Sequence, residues 1–314
     1  GLYLRMMCGY PIVIYTDNYL QMTLRVKRKN REFGLVYIVY AVTICAGNIV
    51  FTLWWGITGL IISSYFTQIV SAMMAFRFLK KAGFFEELTM PVPKLAPNSK
   101  REISGYCMLC IATDFVTTAL VLLDITCLNY VLGDSAVLAD YKVASAIPSA
   151  MMFVPTSLIT YFYPLMVEGY SQNPSRFASQ LKAYARIFAG VALLLLIIMF
   201  AFAPLIIYIV YGEKYIGVVP IFRILCVNFF VNAGIRKLLA NVVYVMKRVK
   251  VNLLFASLAG ALNIVLDMIL IRKLGSQGAA IATVVVTVFV SALEAIYVIR
   301  YLRGKNIAAE AKKE

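Results

Sequence analysis

Histidine is absent from this sequence, and charged residues of every kind are scarce. Without histidine, the chain lacks the side chain that most often acts as a general base, a proton carrier or a metal ligand. Only 14% of the residues are charged, against about 25% in a soluble domain. Hydrophobic residues make up 62% of the chain and the mean hydropathy is +0.83, so the composition predicts that most of the chain lies in lipid.

Acidic residues are half as numerous as basic ones, which leaves a formal net charge of +15. In a soluble protein, such an excess would suggest a nucleic-acid partner. The cytoplasmic loops of membrane proteins carry the same excess of lysine and arginine. No basic soluble domain remains outside the apolar runs, so we expect no binding of nucleic acid.

The six cysteines all fall in apolar stretches. Two of them, in "CMLC" at Cys107 to Cys110, have the spacing of a redox or zinc pair. A single pair in an apolar helix, with no second pair and no histidine, more often serves packing. We therefore expect no disulfide, no metal site and no cofactor.

Long apolar runs dominate the chain, and a helix needs about 20 mostly apolar residues to cross a membrane. The first run is the weakest, because Arg5, Pro11 and Asp17 interrupt it. The predicted fold class is an all-α integral membrane protein with about nine transmembrane helices. The nine predicted spans are roughly 2–24, 33–54, 57–79, 103–131, 142–167, 181–211, 218–246, 251–271 and 277–302.

The loops between nine alternating helices divide into two sets with unequal charge. One set holds 22 of the 30 lysine and arginine residues, and the other holds only four. Because basic loops stay in the cytoplasm, we expect Glu314 in the cytoplasm and Gly1 outside. The longest soluble segment, 80–101, has the prolines and charges of a connector between two helical halves.

Two stretches about 215 residues apart share one pattern: "NIVFTLWWGITGLIISS" from Asn48 and "NIVLDMILIRKLGSQGAAIATV" from Asn263. Each follows a basic segment and a helix, and each contains a short turn with glycine before the next helix. We predict two helical hairpins with the same orientation in the membrane. Internal repeats of this kind are typical of transporters, whose substrate path lies between the repeated halves.

Four segments resemble polysaccharide flippases, the Wzx-type O-antigen transporters of the MOP superfamily. The resemblance covers essentially the whole chain, as a pattern of helices, glycine turns and loop charges without one diagnostic motif. The segments "GEKYIGVVPIFRILCVN" and "NIVLDMILIRKLGSQGAAIATVVV" are similar to the C-terminal half of that family. The segment "LDITCLNYVLGDSAVLADYKVASAI" is similar to the first helix pair of its second lobe, and "QMTLRVKRKNREFG" to the link after its fourth helix.

The resemblance implies a domain organisation. Members of the family commonly have twelve or fourteen helices in two lobes, so the nine predicted here would be helices four to twelve of an N-terminally truncated chain. A start at Gly1 without a signal peptide pattern fits that expectation. The implied parts are a remnant of the N-terminal lobe with about three helices at 1–79, a cytoplasmic inter-lobe linker at 80–101, a C-terminal lobe of six helices at 102–303 and a cytoplasmic tail at 304–314.

The resemblance also implies a transporter and not an enzyme. Its substrate would be an oligosaccharide linked to a polyprenyl diphosphate, flipped across the cytoplasmic (inner) membrane for O-antigen, lipopolysaccharide or other surface polysaccharide biosynthesis. Further implied partners are membrane lipids and the polysaccharide polymerase machinery. A cationic cavity between two lobes would replace the water around the diphosphate, and alternating access would open it to one side at a time.

Charged side chains inside the spans identify candidate site residues, because each costs several kcal/mol in mid-bilayer unless it faces a cavity or a partner. Asn228, Asn232 and Arg236 are spaced by four and form one stripe of a helix, with Lys237 and Asn241 beside it. Arg236 and Lys237 lie about ten residues before the next inside loop, which is far for snorkelling. Together with Arg5, we take Asn232, Arg236 and Lys237 as candidate contacts of the substrate headgroup.

The acidic residues inside the spans are the second group of candidates. Asp114 lies near the middle of its span, close to three threonines, and is a candidate for ion coupling or for pairing with a cation. Asp124 is a second candidate for the same role. Asp124 and Asp267 lie near the outer ends of their spans and Glu294 near the inner end, where capping explains them equally well.

Several other functions fit the same sequence. A MATE-like multidrug or ion antiporter of the same superfamily would share the fold, although clustered deep charges would then be acidic. A peptidoglycan-precursor flippase is closer still. A membrane polysaccharide polymerase or glycosyltransferase should show paired carboxylates or histidine in an outside loop, and the outside loops offer only Asp134, Asp140 and Glu213. A structural scaffold would not need the deep charges or the repeat.

Overall fold

The computed structural model describes residues 2–27, 29–84, 86, 97–172 and 174–310. Almost all of these residues are helical, and none of them lies in a β-strand. The chain divides into two compact units, Gly1–Leu95 and Ala96–Glu314. The predicted linker at 80–101 and the predicted tail at 304–314 lie partly outside the described residues.

The described part of the first unit contains three helices: α1 (Leu2–Met7), α2 (Tyr10–Val26) and α3 (Asn30–Lys81). The predicted first span is therefore two helices, because the chain breaks at Cys8 and Gly9 and Pro11 starts α2 in its first turn. Helix α3 reverses direction at Gly56, where φ is +58°. Its two arms and α2 share a small core of Leu24, Val36, Ala75 and Leu79.

Among its described residues, the second unit contains nine further α-helices with short connections. Asp134 caps the second of them by accepting a hydrogen bond from the backbone amide of Ala136 (2.8 Å). That helix begins seven residues before the predicted start of its span at 142, because the cap ends the preceding turn early. The nine are α4 (Pro97–Leu132), α5 (Ser135–Met151), α6 (Phe153–Gln172), α7 (Pro174–Ala201), α8 (Ala203–Tyr211), α9 (Val219–Val231), α10 (Lys237–Val245), α11 (Val249–Leu274) and α12 (Ser276–Glu310).

Seven helical stretches in the described part of the chain are long and apolar enough to cross a membrane. One of them, Arg31–Lys81, turns back at Gly56 and supplies two passes. With α2 beside α3, the described residues form nine helical passes, which agrees with the predicted fold class of an all-α, multi-pass membrane protein. Breaks at Met152 and Phe202 divide two of the passes, close to Pro155 and Pro204.

The two repeated stretches fold into hairpins with the same turn. In the first, Gly56 has φ +58° and ψ −134°, and in the second, Gly275 has φ +60° and ψ −138°. Residues other than glycine rarely adopt these angles. Three residues later, Gly59 and Gly278 lie against the backbone carbonyls of Phe51 and Leu270. The second hairpin has four more residues between its asparagine and its glycine turn than the first. Four residues are about one turn of a helix, so Asn48 and Asn263 lie on nearly the same face of their helices.

We expect Gly278→Ala to destabilise the second hairpin. A Cβ atom at Gly278 would overlap the Leu270 carbonyl oxygen, so the two helices would have to separate. The expected loss is about 1–3 kcal/mol, measurable as a lower thermal unfolding midpoint in detergent. Gly190→Ala is the matched control, because a Cβ there meets nothing within 4 Å. Equal midpoints for the two variants would contradict the close approach.

The core of the second unit surrounds α9. Phe222, Cys226 and Phe229 on this helix are buried and belong to the largest apolar cluster. Helix α9 packs against α5, α7 and α12, and α4 and α11 pack closely because Gly260 admits Leu120, whose Cδ2 lies 3.0 Å from the position of an added Cβ. This arrangement places α4, α5, α9, α11 and α12 around a common space.

Candidate functional site

A cavity of about 430 Å³ lies inside the second unit. Helices α4, α5, α9, α11 and α12 form its walls, together with the turn that follows α9. Its polar lining contains one carboxylate, that of Asp124, and one guanidinium, that of Arg236. The two groups lie toward opposite ends of the cavity. The polar side chains of the lining are Thr117, Asp124, Tyr141, Ser145, Ser149, Asn228, Asn232, Arg236, Asn263, Thr283 and Thr287.

Asp124 is the centre of a hydrogen-bond network at one end of the cavity. The carboxylate is 8% exposed and accepts three hydrogen bonds from three other helices. Tyr141 Oη and Thr283 Oγ1 donate to Oδ2 at 2.9 and 2.7 Å, and Asn263 Nδ2 donates to Oδ1 at 2.8 Å. The network therefore ties α4 to α5, α11 and α12 through one charged group.

A second carboxylate, Asp267, belongs to the same network. Asn263 Nδ2 also donates to Asp267 Oδ2 at 2.8 Å, so one amide joins the two acids. Asp267 is fully buried and its Oδ1 has no hydrogen-bond partner. Neither acid makes an ion pair with a lysine or arginine in the described part of the chain.

Two buried carboxylates without a cation form an expensive arrangement, because each loses its hydration and each repels the other. A proton or a small cation bound between them would lower that cost. Oxygen ligands for such an ion are at hand in both carboxylates, the Thr283 hydroxyl and the Asn263 amide, whose oxygen would face the ion after rotation of the amide. These are the hard oxygen ligands that suit an alkali or alkaline-earth cation.

A π-helical turn, Asn232–Arg236, separates α9 from α10 at the other end of the cavity. Such turns occur mostly as single insertions in helices, frequently at functional sites. Gly234 within the turn packs tightly on α7, since an added Cβ would lie 3.2 Å from Ala192 Cβ. The turn leaves the Asn232 and Arg236 side chains on the cavity wall.

Arg236 is the only lysine or arginine in the cavity lining described above. It makes no ion pair within 4.0 Å in the part of the chain that the structure describes. Its charge acts on Glu294 on α12, a residue that is 3% exposed and whose Oε2 has no hydrogen-bond partner. The guanidinium therefore retains donors for a ligand.

The structure brings only some of the predicted site residues together. Asn232, Arg236 and Asp124 all line the cavity. Lys237, half-buried on α10, is outside the lining, and so is Asp114, whose side chain is exposed on α4. Arg5 is exposed on α1 in the first unit.

No family model and no curated protein matches the chain. Solved structures match it over nearly its whole length. An outward-facing multidrug resistance MATE family transporter of the MOP superfamily has a TM-score of 0.79 at 12% identity, over 96% of this chain and 69% of that one. The Vibrio cholerae MATE transporter VcmN in its bent form has a TM-score of 0.72 at 13% identity, over 97% of this chain and 71% of that one.

The chain has the fold of these MOP-superfamily transporters. A further match with this fold is a MOP superfamily transporter from Pyrococcus furiosus, at a TM-score of 0.79 and 12% identity, over 96% of this chain and 69% of that one. At these identities the likeness concerns the fold, and the chemistry of the cavity has to be taken from this chain's own residues.

Three residues of the cavity network were not considered from the sequence, and a fourth, Asp267, was left open there between helix capping and function. Asn263, Asp267, Tyr141 and Thr283 surround Asp124 in this MOP fold. One signal was available, because the repeated stretch contains asparagine and aspartate four residues apart on one helix face. The other signals were weak, since a tyrosine and a threonine in an apolar helix are common.

Proposed function

We propose that this chain is a transporter whose substrate carries an anionic headgroup on a lipid, namely an oligosaccharide linked to a polyprenyl diphosphate. The observation that carries the proposal is Arg236, a guanidinium on the cavity wall without a carboxylate partner. Guanidinium groups bind phosphate oxygens through paired hydrogen bonds. Asn228 and Asn232, on the same wall, offer amide groups for the remaining phosphate oxygens and the sugar hydroxyls.

The size of the cavity supports a headgroup and not a whole oligosaccharide. Its volume of about 430 Å³ is within the range of about 300–1,000 Å³ that small-molecule sites occupy. A diphosphate with its first sugar fits that space, while the polyprenyl chain stays in the lipid. The proposed cycle is alternating access at the cytoplasmic membrane, and the proposed partners are the lipid-linked oligosaccharide, membrane lipids and polysaccharide polymerase machinery.

The second part of the proposal concerns coupling. We assign to Asp124, with Asp267 and Asn263, the binding of the ion that drives the cycle. Tyr141 and Thr283 join these side chains of α4 and α11 to α5 and α12. An ion that neutralises the two carboxylates would therefore change how the four helices pack. The cavity lining includes both Asp124 and Arg236, so the proposed ion and the proposed substrate would share one space.

A multidrug antiporter is the second candidate, because several solved structures with this fold are multidrug resistance MATE transporters. A cationic drug would need a free carboxylate in the cavity. Here three donors occupy the oxygens of Asp124, the carboxylate of the cavity lining, whereas the Arg236 guanidinium of the same lining makes no ion pair in the described part of the chain. For the transporter from Pyrococcus furiosus, the reverse polarity of the binding pocket suggests a different function, and polarity favours an anionic substrate here.

The test is a deletion of the gene in its own organism, followed by extraction of lipid-linked oligosaccharides. A flippase deletion is expected to trap single repeat units on the cytoplasmic leaflet, and a gene carrying Arg236→Ala is expected to leave them trapped. Single units trapped on the outer leaflet would instead identify a polymerase. Changed drug sensitivity without either accumulation would identify an antiporter and discard the lipid-linked substrate.

A further inference from the structure

The first unit contains a buried carboxylate that the proposed transport site does not use. Asp17 lies in the middle of α2 and is 1% exposed. Ser71 Oγ donates to its Oδ1 at 2.9 Å, and Gln21 Nε2 donates to its Oδ2 at 2.8 Å. Asp17 makes no ion pair among residues 2–84 that the structure describes, so its charge has only these two neutral donors.

A polar stripe on the second arm of α3 faces the interior of the unit. Ser63, Thr67 and Ser71 are spaced by four and are all fully buried. Serine and threonine hydroxyls in membrane helices usually donate to the carbonyl four residues earlier, as Ser64 does to Leu60 (2.9 Å). Ser63 Oγ and Thr67 Oγ1 have no partner at all, and neither has Gln68 Oε1 beside them.

These unpartnered oxygens are costly in an apolar interior, because a buried polar group without a hydrogen bond loses its hydration for nothing. Helix–helix adhesion alone explains the contacts among Asp17, Gln21 and Ser71. It does not explain why the next turn of the same stripe holds oxygens without donors. A bound ion would explain both the Asp17 carboxylate that lacks a countercharge and the side-chain oxygens that lack hydrogen-bond partners.

We propose that Asp17, Thr67, Gln68 and Ser71 form a binding site for a small monovalent cation, a proton or a sodium ion, inside the first unit. The carboxylate supplies the charge, and the side-chain oxygens of the stripe replace the hydration shell of the ion. The site is independent of the acid pair in the second unit and of the lipid-linked substrate. It gives the transporter a second place at which an ion gradient acts.

The test uses dicyclohexylcarbodiimide on the purified full chain in detergent, with peptide mapping by mass spectrometry. The carbodiimide carbon adds the carboxyl oxygen while its nitrogen takes the carboxyl proton, and the acyl group then migrates to nitrogen, so the adduct keeps every atom. Only the protonated acid reacts. Labelling at Asp17 is expected to fall severalfold between about pH 5 and about pH 9, and a sodium site adds protection by sodium chloride over choline chloride.

Two variants refine the result. Thr67→Val is expected to weaken sodium protection severalfold, whereas Ser64→Ala is not, because the Ser64 hydroxyl is occupied by its own helix. Dependence on pH without sodium protection, with labelling that persists near pH 7 where an ordinary aspartate is ionised, identifies the proton as the ion. Labelling that ignores both pH and sodium overturns the proposal. So does an Asp17 that never reacts in a chain whose Asp17→Asn variant binds as much radioactive sodium as the wild type.

The same peptide map reports on the second unit. Adducts at Asp124 or Asp267 that respond to sodium, beside an Asp17 that does not, would retain the ion site of the proposed function and remove this one. The reverse pattern would retain the site in the first unit and remove the other.

Discussion

Arg236→Gln is expected to weaken binding of the diphosphate headgroup by roughly 10- to 100-fold. The substitution removes a charge-assisted hydrogen-bonding group worth about 1.5–3 kcal/mol and leaves a shorter, neutral polar side chain in its place. The measurement is the concentration dependence of flipping in liposomes, with a short-chain polyprenyl diphosphate glycan. The loss should appear mainly in the apparent affinity, because the guanidinium contacts the headgroup before translocation begins.

Lys237→Gln is the matched control. It removes the same charge from the adjacent residue, whose side chain is outside the cavity lining. The loss of apparent affinity is expected to stay below about threefold, because solvent partly screens the charge of the half-buried Lys237 side chain. Arg236→Lys should recover part of the affinity, because an ammonium group keeps the charge without the paired geometry. Equal losses in Arg236→Gln and Lys237→Gln would show that general positive potential, and not contact, attracts the headgroup.

The stripe of Asn228, Asn232 and Arg236 was visible in the sequence because it depends only on spacing along one helix. The π-helical turn at Asn232–Arg236 was not. It depends on the tight packing of Gly234 against α7, and no local pattern encodes a neighbour some forty residues away. Position along the helix therefore favoured Arg236 and Lys237 equally as site residues, whereas only Arg236 lines the cavity.

The spans could be predicted because a membrane helix requires a long apolar run. The hairpin turns could be predicted because glycine readily adopts the backbone angles of Gly56 and Gly275, which other residues rarely do. The ends of the helices were harder to predict from the sequence. Helix α5 starts where the Asp134 side chain accepts a hydrogen bond from the Ala136 amide. In the sequence, Asp134 lies in a polar stretch that resembles a loop, so this start was not predicted. Breaks such as the one at Cys8 and Gly9 depend on one or two residues within a run that remains apolar overall.

The acid pair could not be found from one helix. Asp124 is on α4, Asn263 and Asp267 are on α11, and Thr283 is on α12, so the cluster exists only after three helices pack. The repeat nevertheless contained a trace of it. Asn48 and Asn263 occupy matching positions before the same glycine turn, yet only the second is followed by an aspartate on its own face. The proposed driving-ion site is thus a feature of one hairpin, added to a shared scaffold.

Asp267→Asn is expected to abolish ion-driven transport, with a loss of at least about 10-fold in gradient-driven flipping. The change conserves shape and removes one of the two charges that an ion would neutralise. The free-energy cost of burying the Asp124 carboxylate falls, because Asp124 keeps its three hydrogen-bond donors and loses its like-charged neighbour. The protein should therefore fold at least as well as the wild type while no longer responding to the gradient, which separates this loss from misfolding.

Asp134→Asn is the control that removes a carboxylate from the same unit. Asn caps a helix as well as Asp does, so α5 should keep its start and gradient-driven flipping should stay near the wild-type rate. The decisive comparison is flipping with and without an imposed sodium or proton gradient in liposomes. If Asp267→Asn responds to the gradient as strongly as the wild type, the pair stabilises the packing of α4, α11 and α12, and the driving ion binds elsewhere. If the response vanishes while exchange without a gradient persists, the two carboxylates couple the ion to the movement of the headgroup.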